Sequence, residues 1–83
     1  MNDQEVLTKV QQAFKSAFDV NPAVVTMDTT ASDISAWDSV GHLSLAGSLE
    51  ESFGVSLDVD ELMDMESVRE IVSIISGKLA AKA

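Results

Sequence analysis

Asp38, Ser39 and His42 fall within one five-residue stretch and are the residue types of a hydrolytic triad: an acid, a nucleophile and a base. Their spacing argues against that chemistry. Ser39 and His42 are three residues apart, so on a helix they are surface neighbours one turn from each other. No candidate oxyanion hole is recognisable, and a chain of 83 residues leaves little volume for a substrate pocket. A different chemistry suits the same residues. Asp38 is a good helix cap. It places Ser39 in the first turn, exposed to solvent, ahead of backbone N–H groups that lack intrahelical acceptors and at the positive end of the helix dipole. Such a serine is well placed to carry a phosphate. The plainer alternative is a capped helix start in which Ser39 is merely tolerated.

The acidic run from Asp58 to Glu66 invites a calcium reading, which the spacing refuses. Counted from Asp58, the sixth position is Met63 and the twelfth is Arg69, where an EF-hand loop needs glycine and a bidentate glutamate. The chain has no cysteine and one histidine, which excludes a disulfide scaffold, a thiolate zinc site and a histidine metal cage. No metal site is expected. Fourteen acids against five bases give a net charge of −9. That charge repels phosphate backbones and anionic lipid, so nucleic-acid and membrane-surface roles are poor matches. Eleven of the acids lie between Ser16 and Val68, a stretch without a single base. This stretch reads as a solvated acidic face or as a docking surface for basic partners. The opening Met1-Asn2-Asp3-Gln4-Glu5 is polar and acidic, the opposite of a signal peptide, and points to a cytoplasmic protein.

The elements that must position Ser39 follow from apolar periodicity. Val6, Leu7, Val10, Phe14, Ala17 and Phe18 form one helical stripe, capped by Asn2 or Asp3 and stopped before Asn21-Pro22. The stretch 19–37 reads as a long loop, with a short helical turn near 32–36. Val24, Val25, Met27, Ile34 and Trp37 are available to pin it on the core. The second helix carries Val40, Leu43, Ala46, Leu49 and Phe53 toward the bundle, with Leu45 beside them. It stops at Gly54, and Gly41 and Gly47 weaken it. A minor helix opens at Asp58 with Val59, Leu62 and Met63. Ser67-Val68-Arg69-Glu70 is a capping box that starts the last helix, which Gly77 weakens and whose tail, Ala80 to Ala83, frays. The expected fold is all-α: a single domain over 1–83, a small bundle of three main helices and one short one at roughly 3–18, 39–53, 58–64 and 67–80, with a long first loop.

At Trp37-Asp38-Ser39-Val40-Gly41-His42-Leu43 the sequence resembles the acyl carrier protein family, whose signature is Asp-Ser-Leu at the start of the second helix. Asp38-Ser39-Val40 is a close variant. The likeness extends from the first helix to Leu79 and includes the size, the acidity, the long first loop, the spacing of Leu43, Leu45, Leu49 and Phe53, and the late Ser67-Val68 helix start. The resemblance implies a carrier and not an enzyme. Ser39 would be the attachment point of a covalent 4′-phosphopantetheine, added from coenzyme A by a separate transferase with magnesium, and the cofactor thiol would hold an acyl or related group as a thioester. Asp38 would help orient the loading complex, and Val40 would sit beside the arm. Leu43, Ala46 and Leu49 would face the bundle and line the space for a carried chain.

The partners implied are the phosphopantetheinyl transferase, acyl- or aminoacyl-loading enzymes, and downstream synthases with basic patches, acting on a monomer. They would meet Gly41, His42, Ser44, Glu50, Glu51, Asp60 and Glu61. The family's fatty-acid carriers usually have acids where this chain has Gly41 and Ser44, and a small polar residue where it has His42. The resemblance is therefore to a specialised stand-alone member. An aminoacyl or peptidyl carrier, a polyketide carrier and an unmodified acidic interaction module of similar fold are the alternatives.

Overall fold

A computed structural model describes residues 2–82 of the chain. Four α-helices follow one another: α1 (Asp3–Phe18), α2 (Ser39–Phe53), α3 (Val59–Asp64) and α4 (Val68–Lys82). Two single turns of 3₁₀ helix, Pro22–Val24 and Ala31–Asp33, lie in the long connection between α1 and α2.

Each helix begins and ends where its backbone groups find partners. Asn2 caps α1, accepting from the Glu5 N–H at 2.9 Å, while the Glu5 carboxylate accepts from the Asn2 N–H at 3.3 Å. The helix ends in a left-handed Asp19 whose N–H reaches the Lys15 carbonyl. Gly54 closes α2 in the same conformation, which glycine adopts without penalty. Asp58 and Glu61 form a reciprocal capping box at the start of α3. Ser67 Oγ accepts from the Glu70 N–H at 3.3 Å and opens α4. The tail expected to fray is helical through Lys82, while Ala83 lies outside the described residues. Ile75 is buried, Leu79 packs against the core, and Lys78 is tied to Glu61, so the last turns are held despite Gly77.

The core is one cluster drawn mainly from α1, α2 and α4, joined by residues of the long loop and by Met65. α1 contributes Val6, Val10, Ala13 and Phe14, α2 contributes Leu45, Ala46, Leu49 and Phe53, and α4 contributes Val68, Ile71, Val72 and Ile75. Phe14 meets Trp37 edge to face with ring centroids 5.0 Å apart. Val25, Ile34 and Trp37 pin the long loop, whereas Val24, expected among the pins, faces solvent. Gln11 holds the loop against α1 by donating to the Val25 carbonyl at 2.7 Å. The loop also joins the start of α4 through an isolated antiparallel bridge between Thr30 and Ser67, with Val68 N–H to Thr29 carbonyl at 2.8 Å. Thr29, a buried polar residue, has its hydroxyl satisfied between the Thr26 N–H and the Val24 carbonyl.

The main departure from expectation is the face that α2 turns inward. Leu43 was expected toward the bundle and instead is exposed, as is Val40, while Leu45 and Ala46 take the buried side. Apolar residues lie on two sides of α2, and periodicity within one helix does not say which side meets α1. None of the described helices is long and apolar enough to cross a membrane.

Candidate functional site

Ser39 is the first residue of α2 and is exposed. Asp38 precedes it as the N-cap, and its Oδ1 accepts from the Gly41 N–H at 2.8 Å. The N–H groups of Ser39 and Val40, one and two residues into the helix, have no acceptor within the helix and point outward at its positive end. Trp37, buried immediately before the cap, anchors the end of the long loop that leads into this terminus.

From Ser39 an open cleft of about 600 Å³ runs between the start of α2 and α3. Ser39 and Asp38 stand at its polar end with His42, and Leu43, Val59, Leu62 and Met63 supply apolar walls. Four of the residues around it are large, apolar and exposed: Val40 (74%), Leu43 (65%), Val59 (68%) and Met63 (70%). So many exposed apolar side chains in one neighbourhood of an acidic protein mark a surface that something covers. The cleft residues of α3 and its flanks escaped the sequence reading as site residues. Their only signal was the presence of Val59, Leu62, Met63 and Met65 in a segment too short to bury all of them.

The residues expected to face partners separate into two groups. Ser44, Glu51 and Asp60 are exposed and lie free on the surface, together with Val40. Gly41, His42, Glu50 and Glu61 are engaged in contacts within the chain. Gly41 packs on the end of the long loop: a Cβ there would overlap the Ala36 carbonyl oxygen and come within 2.8 Å of Phe18 Cε1. An acidic side chain at this position is excluded by sterics, so the glycine is a packing requirement and not a missing partner charge. His42 is half-buried, with both ring nitrogens engaged, Nδ1 with Trp37 Nε1 and Nε2 with the Leu62 carbonyl, each at 2.7 Å. It is therefore no base for Ser39, in keeping with the spacing argument. Glu50 Oε2 accepts from the Leu57 N–H at 2.8 Å and shapes the α2–α3 connection. Glu61 pairs with Lys78 at 2.7 Å, and that hydrogen bond, followed by one from the Asp58 backbone, holds its carboxyl below the usual glutamate range.

The remaining acids near the cleft, Asp58, Asp64 and Glu66, are exposed. Among the described residues no three histidine, aspartate or glutamate side chains converge as a metal site.

An exposed helix-start serine beside an apolar cleft is the arrangement of a domain that carries a long prosthetic arm, and the comparisons identify the class. A family model described as a phosphopantetheine attachment site matches residues 8–75. The acyl carrier protein of Thermosynechococcus vestitus is 33% identical over 98% of this chain and all of its own length. The acyl carrier protein of Guillardia theta is 33% identical over the same shares of the two chains. The solution structure of the holo acyl carrier protein from Geobacter metallireducens superposes with a TM-score of 0.83 at 34% identity, over 93% of this chain and 88% of that one. The chain belongs to the acyl carrier protein family, and it is a phosphopantetheine-bearing acyl carrier.

Proposed function

We propose that Ser39 is the attachment residue and that the chain's own chemistry ends with carrying. The observation behind this reading is the position of Ser39: exposed, first in α2, behind a capping Asp38 and at the rim of the apolar cleft. The surroundings fit the group. Ser39 is exposed, the N–H groups of the first turn favour a phosphodiester, and the cleft offers an apolar wall along which an arm and its cargo can lie. When bound, phosphopantetheine supplies a thiol that holds the acyl group as a thioester; bond making belongs to the cofactor and to partner enzymes.

This chain's residues do the rest. Asp38 caps the first turn and so sets the position of Ser39, and its exposed carboxylate lies beside the hydroxyl that a transferase must reach. Val40 offers that enzyme, and later ones, an apolar contact beside the arm. Ser44, Glu51, Asp60, Asp64 and Glu66 form the free polar and acidic surface toward basic partners, raising encounter rates in low salt. Loading by a phosphopantetheinyl transferase uses coenzyme A and magnesium, and the carrier acts as a cytoplasmic monomer with no catalytic residues of its own. The relatives favour an acyl cargo over an aminoacyl or peptidyl one.

Intact-mass analysis tests the reading. A broad-specificity transferase with coenzyme A and magnesium is expected to add one phosphopantetheine to the wild type and none to Ser39→Ala, with the helical circular dichroism of both unchanged. A wild type of unaltered mass, or a mutant that still gains the group, would overturn the assignment of Ser39.

A further inference from the structure

His42 has no role in attachment, yet both of its ring nitrogens are committed within the cleft. An indole nitrogen only donates and a carbonyl oxygen only accepts, so the ring carries its proton on Nε2: Nδ1 accepts from Trp37, and Nε2 donates to Leu62. The result is a hydrogen-bonded chain from the buried Trp37 at the end of the long loop, through α2, to the backbone of α3. α3 has six residues and cannot hold itself by helix formation alone. It is tied to α2 through His42 and to α4 through the Glu61–Lys78 pair.

The position of this chain divides the apolar surface in two. Leu43, Val59 and Met63, on the outer side, are exposed. Leu45 and Ala46, one helical turn beyond His42 on the same side of α2, are buried, and Leu49 follows them. A cargo passing from the cleft to these core residues must part α3 from α2 at His42. That leaves the half-buried His42 Nε2–H without its acceptor and the Leu62 carbonyl without its donor, and a hydrogen bond left unmade away from water is costly. The compensation is small for a short chain, because the cleft already covers part of its surface.

We propose that His42 is a specificity-determining residue of this carrier: its bridge from Trp37 to the Leu62 carbonyl closes the way from the Ser39 cleft into the core, so that an apolar cargo lies at the surface along Leu43, Val59 and Met63. The inference rests on Ser39 being the attachment residue. It makes this carrier one that keeps a short acyl chain accessible to partner enzymes.

The test loads wild type, His42→Ala and His42→Gln with carbon-13-labelled hexanoyl-phosphopantetheine, using hexanoyl-coenzyme A and a broad-specificity transferase, and confirms loading by mass. Nuclear Overhauser contacts of the hexanoyl methyl then locate the chain. In the wild type they are expected on Leu43, Val59 and Met63. Glutamine can both accept from Trp37 and donate to Leu62, so His42→Gln is expected to keep this pattern. In His42→Ala the contacts are expected to move to Leu45, Ala46 and Leu49. Trp37 is the chain's single tryptophan and there is no tyrosine, so its emission gives a second reading: the difference between acetyl and hexanoyl forms is expected to be larger in His42→Ala than in the wild type. Hexanoyl contacts on the core residues of the wild type overturn the proposal, and that result does not depend on any variant folding. Surface contacts retained in a folded His42→Ala overturn it as well. Absence of a mass gain on the wild type overturns the Ser39 assignment and this inference with it, whereas loaded protein with the wrong contacts overturns this inference alone.

Discussion

Two sides of α2 carry similar side chains and have opposite fates. Its inner side presents Leu45, Ala46, Leu49 and Phe53, all buried; its outer side presents Val40 and Leu43, both more than half exposed. The inner side is held by apolar burial between long helices. On the outer side Leu43 lines an open cleft whose opposite wall is the short α3 and its flank, and α3 is tied to α2 and α4 by polar contacts. The difference teaches that an apolar residue in this fold is structural or functional according to what the neighbouring element can cover. In the proposed role both sides of one helix are used: one fixes Ser39 in space and one receives what Ser39 would hold.

The strongest way to break this comparison is to make the same change on both sides. Leu49→Ala removes a fully buried side chain from the centre of the bundle. It is expected to cost about 2–5 kcal/mol, a large part of the roughly 4–12 kcal/mol available to a chain of this length. Leu43→Ala removes the same atoms from an exposed position and is expected to change stability by no more than about 0.5 kcal/mol. Urea unfolding of the two variants measures both. A loss at Leu43 comparable with that at Leu49 would show that the outer side is covered in solution.

A smaller contrast lies between two glycines of the same helix. Gly41 sits against the Ala36 carbonyl and Phe18, with no room for a methyl group, while a Cβ at Gly47 meets nothing within 4 Å. Gly41→Ala is expected to destabilise by about 1–3 kcal/mol through overpacking against backbone. Gly47→Ala is expected to stabilise by about 0.5–1 kcal/mol through helix propensity alone. At about 4–8 °C per kcal/mol for a domain of this size, thermal midpoints should move in opposite directions. Equal shifts of the same sign would remove the packing explanation for Gly41.

What the sequence made legible follows the same division. The four helices, the caps at Asn2, Asp38, Asp58 and Ser67, and the exposed Ser39 rest on local signals: periodicity and cap chemistry within a few residues. On α2 the burial of Ala46, Leu49 and Phe53 follows the expected stripe, whereas Val40 and Leu43 satisfy that stripe yet are exposed and Leu45, set beside it, is buried; the neighbouring helices decide between them. Gly41 reads as an absent charge until Ala36 and Phe18 are seen beneath it. His42 reads as a surface group until Leu62, twenty residues on, is placed across from it. Each of these depends on a contact between distant parts of the chain, which one sequence does not display.

The smallest expected effect sharpens the account of how α3 is held. Glu61 accepts from Lys78 on α4 and from the Asp58 backbone N–H at the start of its own helix, and these donors hold its carboxyl below the usual glutamate range in the folded protein. In the unfolded chain the carboxyl returns to an ordinary value of about 4.3. A group whose folded value is depressed adds stability in full above its unfolded value and loses it as pH falls through the folded one. The contribution of Glu61 is therefore constant from neutral pH down to about pH 5 and falls away below about 4.3. Acid also protonates the other carboxylates and relieves their mutual repulsion, so the absolute stability of the wild type is not the quantity to follow. The difference between wild type and Glu61→Gln isolates this one carboxyl, since the other acids are common to both. It is expected to favour the wild type at pH 7 and to shrink toward zero as the acid range is entered. Amide exchange at Leu62 and Met65 of α3 and its end, compared with Val10 and Leu49 in the bundle, places the effect: protection should drop in Glu61→Gln at the first pair and hold at the second. A difference that persists undiminished into the acid range, or a loss of protection spread evenly over both pairs, would mean that α3 is secured by the same apolar burial as the rest of the molecule.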